Sequence, residues 1–164
     1  MMFCRRAPSR LSGVFSSRFY GRTATATAPT YLFIGAGKMA EAMISPLVKS
    51  PLKPEVRIND TSEASALRVS SAFSVKNCVD LSEACDDVDI IIVAVKPQNC
   101  EDLFSDLAPV LKGLRTAPVI LSICAGVPID SFSRGLSTDK IIRSMPNTPA
   151  TIGEGMCVWS VNNV

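Results

Sequence analysis

The sequence predicts an α/β fold built as one doubly wound parallel sheet, and three observations carry that expectation. Short apolar runs alternate with stretches of helical periodicity from Tyr31 onward. The run Asp89-Ile90-Ile91-Ile92-Val93-Ala94-Val95 is β-branched and apolar on both faces, as a parallel strand covered by helices on both sides must be. The first apolar run ends in Gly35-Ala36-Gly37, a turn of small residues that opens directly into a helical pattern.

The elements follow in chain order. Tyr31-Leu32-Phe33-Ile34, closed by Gly35, reads as a buried strand. Met39, Ala42, Met43 and Leu47 then recur at helical spacing between Lys38 and Lys49, with Pro46 set to kink or shorten that helix. Val56-Arg57-Ile58 is a second strand ending at Asn59-Asp60, and Thr61 or Ser62 caps a helix running to about Ser71. A brief third strand is expected over 73–75 and a short helix over 82–85. The central strand 89–95 comes next. Leu103, Leu107, Val110, Leu111 and Leu114 mark an amphipathic helix that Pro109 interrupts. Pro118 to Ser122 is another strand, Pro128 to Gly135 a short helix, Ile141-Ile142-Arg143 a sixth strand and Met156 to Val161 a seventh.

At 164 residues the chain is long enough for one domain, and 47% hydrophobic against 20% charged residues is globular composition. The net charge of +2 is unevenly placed. Residues 1–30 carry Arg5, Arg6, Arg10, Arg18 and Arg22 and no acid, the first acid being Glu41. The rest holds twelve bases against fifteen acids, so it offers no basic face to a nucleic acid. The Arg- and Ser/Thr-rich, acid-free start has the composition of a mitochondrial or plastid transit peptide, and a mitochondrial address is expected. Leu11, Val14, Phe15 and Phe19 fit one face of a short helix, and Arg18-Phe19-Tyr20 resembles a matrix-protease cleavage site. The expected organisation is therefore an unstructured leader over residues 1–30 and a single folded domain over 31–164. No membrane span is expected, because the longest strongly apolar run, 90–95, is far short of the ~20 residues a span needs.

The six cysteines include no C-x-x-C pair, and the absence of histidine excludes the common zinc spacings. An internal, reducing compartment makes them buried free thiols in expectation.

Gly35-Ala36-Gly37-Lys38-Met39-Ala40 is a G-x-G-x-x-A pattern between a strand and a helix. Gly35 allows the tight turn, Gly37 lets a pyrophosphate approach the backbone, and Ala40 lets the helix pack closely on the sheet. The helix N-terminus, with free N–H groups and a positive dipole end, favours the anion. This is the fingerprint of a Rossmann-type dinucleotide site, so NADPH or NADH is the expected cofactor. Asp60, at the end of the second strand, stands where an acid binds the ribose 2′-hydroxyl of NAD and repels the 2′-phosphate of NADP. Thr61 and Ser62 beside it can bind phosphate, so the expectation is an NAD-preferring or permissive site. Asp60 as a plain loop acid or helix cap stays open as the alternative.

Three further segments complete the pattern: Ala94-Val95-Lys96-Pro97-Gln98, Ser122-Ile123-Cys124-Ala125-Gly126-Val127 and Arg143-Ser144-Met145-Pro146-Asn147-Thr148-Pro149. With Phe33-Ile34-Gly35-Ala36-Gly37-Lys38-Met39, in this order, they resemble the N-terminal domain of pyrroline-5-carboxylate reductase from Tyr31 to the C-terminus. The resemblance implies NAD(P)H-dependent reduction of 1-pyrroline-5-carboxylate to proline. It implies cofactor contacts from Ile34, Gly35, Ala36, Gly37, Lys38, Met39, Asp60, Ala94, Val95, Lys96, Pro97, Ile123, Cys124 and Ala125. Ser122 to Gly126 are small enough for the nicotinamide to lie close, and a rigid loop at Met145-Pro146-Asn147 brings the Asn147 amide near nicotinamide or substrate. Leu81 stands where family members often carry an Asn near the cofactor. The family's helical second domain, which forms homo-oligomers and most of the imine pocket, has no counterpart before Val164. That leaves open a non-catalytic nucleotide-binding module, or an oxidoreductase with another substrate. A protonated imine needs little acid catalysis from the protein, so the lack of histidine does not exclude the reaction, and no catalytic residue is assigned.

Overall fold

A computed structural model of the chain describes residues 28–147, 149 and 154–161. The residues singled out in the leader, Leu11 to Phe19 and the cleavage-like Arg18-Phe19-Tyr20, lie outside the described residues, as do Cys4 and Thr148.

Seven strands form one sheet: β1 (Thr30–Ile34), β2 (Glu55–Asn59), β3 (Lys76–Asn77), β4 (Ile90–Val93), β5 (Val119–Ser122), β6 (Ile141–Pro146) and β7 (Cys157–Val161). Their order is β3-β2-β1-β4-β5-β6-β7. The first six pair in parallel, and β7 pairs antiparallel with β6, so the expected parallel sheet carries one antiparallel edge. Five helices connect them: α1 (Lys38–Val48), α2 (Glu63–Phe73), α3 (Leu81–Cys85), α4 (Cys100–Gly113) and α5 (Ile129–Leu136).

Alternation along the central strands splits the core in two. Phe33, Ile58 and Ile92 face Ala40, Ile44, Ala66 and Val69 of α1 and α2. Leu32, Ile34, Ile91, Val93, Ile120 and Ile141 face Leu103, Leu107, Phe132 and Leu136 of α4 and α5. Each fully buried Leu, Ile or Phe contributes about 1.5–3 kcal/mol, which is why β1 and β4, buried on both faces, read as unbroken apolar runs. On the second face α5 comes close to α4, and Phe104 meets Phe132 edge-to-face with ring centroids 5.0 Å apart. Gly135 makes this approach possible, since a Cβ there would lie 2.4 Å from Phe104 Cδ2.

Several boundaries differ from the sequence expectation. The third strand is not at 73–75: α2 continues to Phe73, Ser74 takes the left-handed conformation (φ 53°) and donates its N–H to Ser70 O, and β3 follows at Lys76–Asn77. A helix end capped by a non-glycine left-handed residue carries no Gly to announce it. The central strand stops at Val93, so Ala94 and Val95 belong to the exit loop. Pro109 does not break α4. It lies on the exposed side of the helix one turn after Ser105, also exposed, where the lost N–H costs least. Likewise Pro46 sits exposed within α1. Met145 and Pro146 are not a rigid loop but the last residues of β6, paired with Val158 and Cys157. Proline is tolerated there because it ends the strand.

Candidate dinucleotide site

The strand register places the expected residues on one edge of the sheet. Ile34 pairs with Asn59 on one side and Val93 on the other, and Val93 pairs with Ser122. The next residues, Gly35, Asp60, Ala94 and Ile123, therefore share the carboxyl edge, where open α/β sheets bind ligands. Short backbone bonds tie these exits together: Gly35 N–H to Asn59 O at 2.8 Å, Ala94 N–H to Ile34 O at 2.8 Å and Ile123 N–H to Val93 O at 3.0 Å.

The two glycines of the turn have different physical tasks. Gly35 has φ +102°, and a Cβ on it would come within 2.7 Å of Ala94 O, so both conformation and packing demand glycine. Gly37 sits at φ −78° as the N-cap of α1, makes no side-chain cap, and has open space where a Cβ would be, with nothing within 4 Å. Glu41 N–H is the first to bond back, to Gly37 O at 3.0 Å, so the amides of Lys38, Met39 and Ala40 have no acceptor within α1. Gly37 and Lys38 are exposed, Met39 is half-buried, and Ile34, Gly35, Ala36 and Ala40 are buried. The turn thus offers an uncovered backbone and N–H groups without a partner among the described residues at a positive helix end, a cradle that fits a pyrophosphate.

Asp60 faces this turn. Its Oδ2 accepts the Ala36 N–H at 2.6 Å and its Oδ1 the Ser62 N–H at 2.7 Å. Ser62 in turn caps α2 by accepting the Ser65 N–H at 3.3 Å. From α2, Arg68 Nη2 donates to Ala36 O at 3.0 Å, and Nη1 pairs with Glu41 in the first turn of α1. Lys38 Nζ lies 3.4 Å from the other Glu41 oxygen. Burial would raise the Glu41 carboxyl, but the hydrogen bond and charge of Arg68, helped by Lys38, outweigh it and hold the group below its usual 4.5. Without Arg68, Glu41 would keep only the exposed Lys38 as a partner beside the anion site.

On the other half of the edge, Ala94 and Val95 are half-buried, whereas Lys96 and Pro97 are exposed, Pro97 opening a short 3₁₀ turn over Pro97–Asn99. Ile123 is half-buried and Ala125 exposed. Cys124 is only 2% exposed. Its thiol donates to Val95 O at 3.3 Å and its N–H to Ser122 Oγ at 3.2 Å, so the side chain braces the β4 exit from inside rather than facing the edge. Asn147, exposed just past β6, accepts the Met156 N–H on Oδ1 at 2.8 Å, and its NH₂ group takes no partner among the described residues.

Cys78, Cys85, Cys100 and Cys124 are buried and free, as expected, but Cys157 is exposed on the edge strand β7. Burial pushes the Cys85 and Cys100 thiols up to about 12. Among the described residues no cluster of His, Cys, Asp and Glu is arranged to hold a metal, and no helix is long and apolar enough to cross a membrane. A hollow of about 410 Å³ between α3 and α4 lies where Asp86 and Leu114 lead into β4 and β5. That is the amino edge of the sheet, opposite the glycine turn. A second, about 390 Å³, continues the carboxyl edge past Ala125 between Gly126, Arg143 and Ser160.

Arg68 and Glu41 were not legible as site residues. Arg68 meets Ala36 across 32 positions and Glu41 across 27, by the packing of α1 on α2, and no local motif announces that.

The family model described as NADP oxidoreductase, coenzyme F420-dependent, matches residues 30–126, more than half of the chain. The chain belongs to this family. The pyrroline-5-carboxylate reductase of Synechocystis is 33% identical over 133 residues, 80% of this chain and 48% of that protein. Of solved structures in the same fold, a pyrroline-5-carboxylate reductase from Coxiella burnetii superposes with a TM-score of 0.75 at 24% identity, over 84% of this chain and 50% of that one. The Plasmodium falciparum pyrroline carboxylate reductase, solved with NADP bound, gives 0.67 at 23% identity over the same shares. The chain thus spans about half the length of the relatives it matches.

Proposed function

We propose that this chain supplies the NAD(P)H-binding half of a pyrroline-5-carboxylate reductase, which converts the cyclic imine 1-pyrroline-5-carboxylate to L-proline. The glycine turn carries the reading: an uncovered Gly37 backbone and the free amides of α1 stand beside the β1/β4 exits, where strand order turns. The matched relatives bear that enzyme's name, and the Plasmodium structure holds NADP. A bound reduced nicotinamide supplies the hydride. In this reading Gly37, Lys38 and Met39 hold the pyrophosphate by their backbone. Ala94 to Pro97 and Ile123 to Ala125 border the nicotinamide end, with Cys124 fixing the β4 exit. The Asn147 NH₂ group is the donor directed to nicotinamide or imine. Residues 1–30 are proposed as a mitochondrial address, and homo-oligomers through a helical domain as the family's assembly. Localisation of a fluorescent fusion with and without residues 1–30 separates mitochondrion from plastid.

The test is imine-driven NADPH oxidation, measured on this chain alone and fused to the second half of the Synechocystis reductase. Oxidation by the fusion, faster with the imine than with keto acids, is expected. A folded fusion that binds NADPH and leaves the imine untouched refutes the proposed substrate.

A further inference from the structure

Ala36 is the residue between the two glycines, and both of its backbone groups are held by side chains from other elements. Its N–H goes to Asp60 at the end of β2, at 2.6 Å, and its carbonyl to Arg68 of α2, at 3.0 Å. Neither contact is incidental to a crowded interior. Asp60 uses its second oxygen on the Ser62 N–H at 2.7 Å, so both oxygens of the carboxylate are turned to backbone donors. Arg68 spends its second nitrogen on Glu41, which ties the grip to the first turn of α1. The side chain of Ala36 is itself fully buried, so the residue is fixed from three directions. Charge-assisted bonds of this kind are about twice as strong as neutral ones. A Gly-Ala-Gly segment is otherwise the most costly kind of backbone to order.

We propose that Asp60 and Arg68 are positioning residues that hold the dinucleotide turn in its binding conformation before the cofactor arrives. On this view the choice between a ribose 2′-hydroxyl and a 2′-phosphate does not turn on the Asp60 carboxylate. The inference rests on the dinucleotide reading above and deepens it. It departs from the usual role of an acid at the end of the second strand, which is to accept the ribose hydroxyls and reject the phosphate. Here one oxygen already holds the turn through the Ala36 N–H and the other accepts the Ser62 N–H at the start of α2. Arginine is suited to the second grip because its planar fork reaches a carbonyl and a carboxylate at once, which the single ammonium of lysine does not.

The two roles predict opposite results for Asp60→Asn. If Asp60 positions the turn, NADPH and NADH affinities fall together, by about tenfold, and their ratio stays that of the wild type. If it reads the ribose, NADPH binding tightens while NADH binding weakens. Titrations of the full chain with each cofactor, made at a temperature where circular dichroism shows the variant folded, decide between them. The Ala36 amide gives a spectroscopic check: it is expected downfield and slow to exchange in the free wild type, and upfield and fast in Asp60→Asn. Arg68→Gln provides an independent arm, with the same parallel loss for both cofactors and at most partial recovery in Arg68→Lys. A changed NADPH-to-NADH ratio in Asp60→Asn overturns the inference, and so do unchanged affinities in both Asp60→Asn and Arg68→Gln. A folded wild type that binds neither cofactor removes instead the dinucleotide reading on which the inference stands.

Discussion

Alanine at Gly35 and alanine at Gly37 are the same chemical change two residues apart, and the structure assigns them opposite consequences. At Gly35 the new Cβ meets Ala94 O at 2.7 Å and Ala94 C at 2.8 Å, both backbone atoms of the β4 exit that cannot rotate away. Overpacking of this kind costs about 1–3 kcal/mol. Holding an L-residue at φ +102° adds about 1–3 kcal/mol more. A loss of about 2–6 kcal/mol follows, or about 4–24 °C in Tm at the roughly 2–4 °C per kcal/mol of a domain of this size. At Gly37 the new methyl meets nothing within 4 Å, and φ −78° suits any L-residue. Alanine is a poorer N-cap than glycine by up to about 1 kcal/mol, and the stiffer unfolded chain returns about 0.4–1 kcal/mol. Stability is thus unchanged to within about 1 kcal/mol, while the methyl stands where a pyrophosphate would approach. Urea denaturation and NADPH fluorescence titration on both variants measure the two effects separately. Gly35→Ala melting like the wild type would refute the geometric reasoning. Gly37→Ala losing as much stability as Gly35→Ala, or binding NADPH undiminished, would refute the division of tasks.

Other perturbations follow from particular contacts. The Glu41 carboxyl is held below 4.5, so it stabilises the fold above that pH, and its contribution disappears as pH falls through the lowered folded value. Glu41→Gln should flatten the acid limb of a Tm–pH curve below pH 4.5, with at most about 1 kcal/mol lost at neutral pH because the pair is partly exposed. Burial holds Cys85 and Cys100 neutral up to about 12, against 9.0 for a free thiol. Stability should therefore fall as pH rises from 9.0 towards 12, and removing either thiol by Cys→Ala should reduce that slope in alkaline denaturation. Among the described cysteines, a maleimide under native conditions should label Cys157 and spare the other four, as read by peptide mass spectrometry. Gly135→Ala drives a Cβ into the Phe104 ring; the gain in helix propensity, about 1 kcal/mol, does not offset overpacking of about 1–3 kcal/mol, so a net loss in urea denaturation is expected.

The fold was legible wherever local chemistry decides it. β1 and β4 announce themselves because helices on both sides require apolar residues at every position, and the Gly35 turn does so because neither its φ nor its packing tolerates a side chain. Errors arose where tertiary contacts overrule local preference. Phe73 and Val75 look like strand residues, but α2 runs through Phe73 on the strength of its packed face and a left-handed Ser74. Pro146 looks like loop but is paired with Cys157 across ten intervening residues. Cys157 itself was expected inside; β7 is an edge strand exposed along its length, leaving Val158 and Trp159 about two-thirds exposed as well. The site was half legible. The residues on the carboxyl edge lie in sequence motifs, whereas the Asp60–Ala36–Arg68–Glu41 grip exists only after two helices have packed side by side.

The central claim is that the turn after β1 holds a nicotinamide dinucleotide by its backbone. Gly37→Asp tests it most directly, because it adds a carboxylate in open space at the helix end and disturbs little else. NADPH and NADH titrations, followed by cofactor fluorescence, should show saturable binding to the wild-type chain and none to a Gly37→Asp variant that melts within a few degrees of it. Equal binding by both proteins, or no binding by a folded wild type, would contradict the claim.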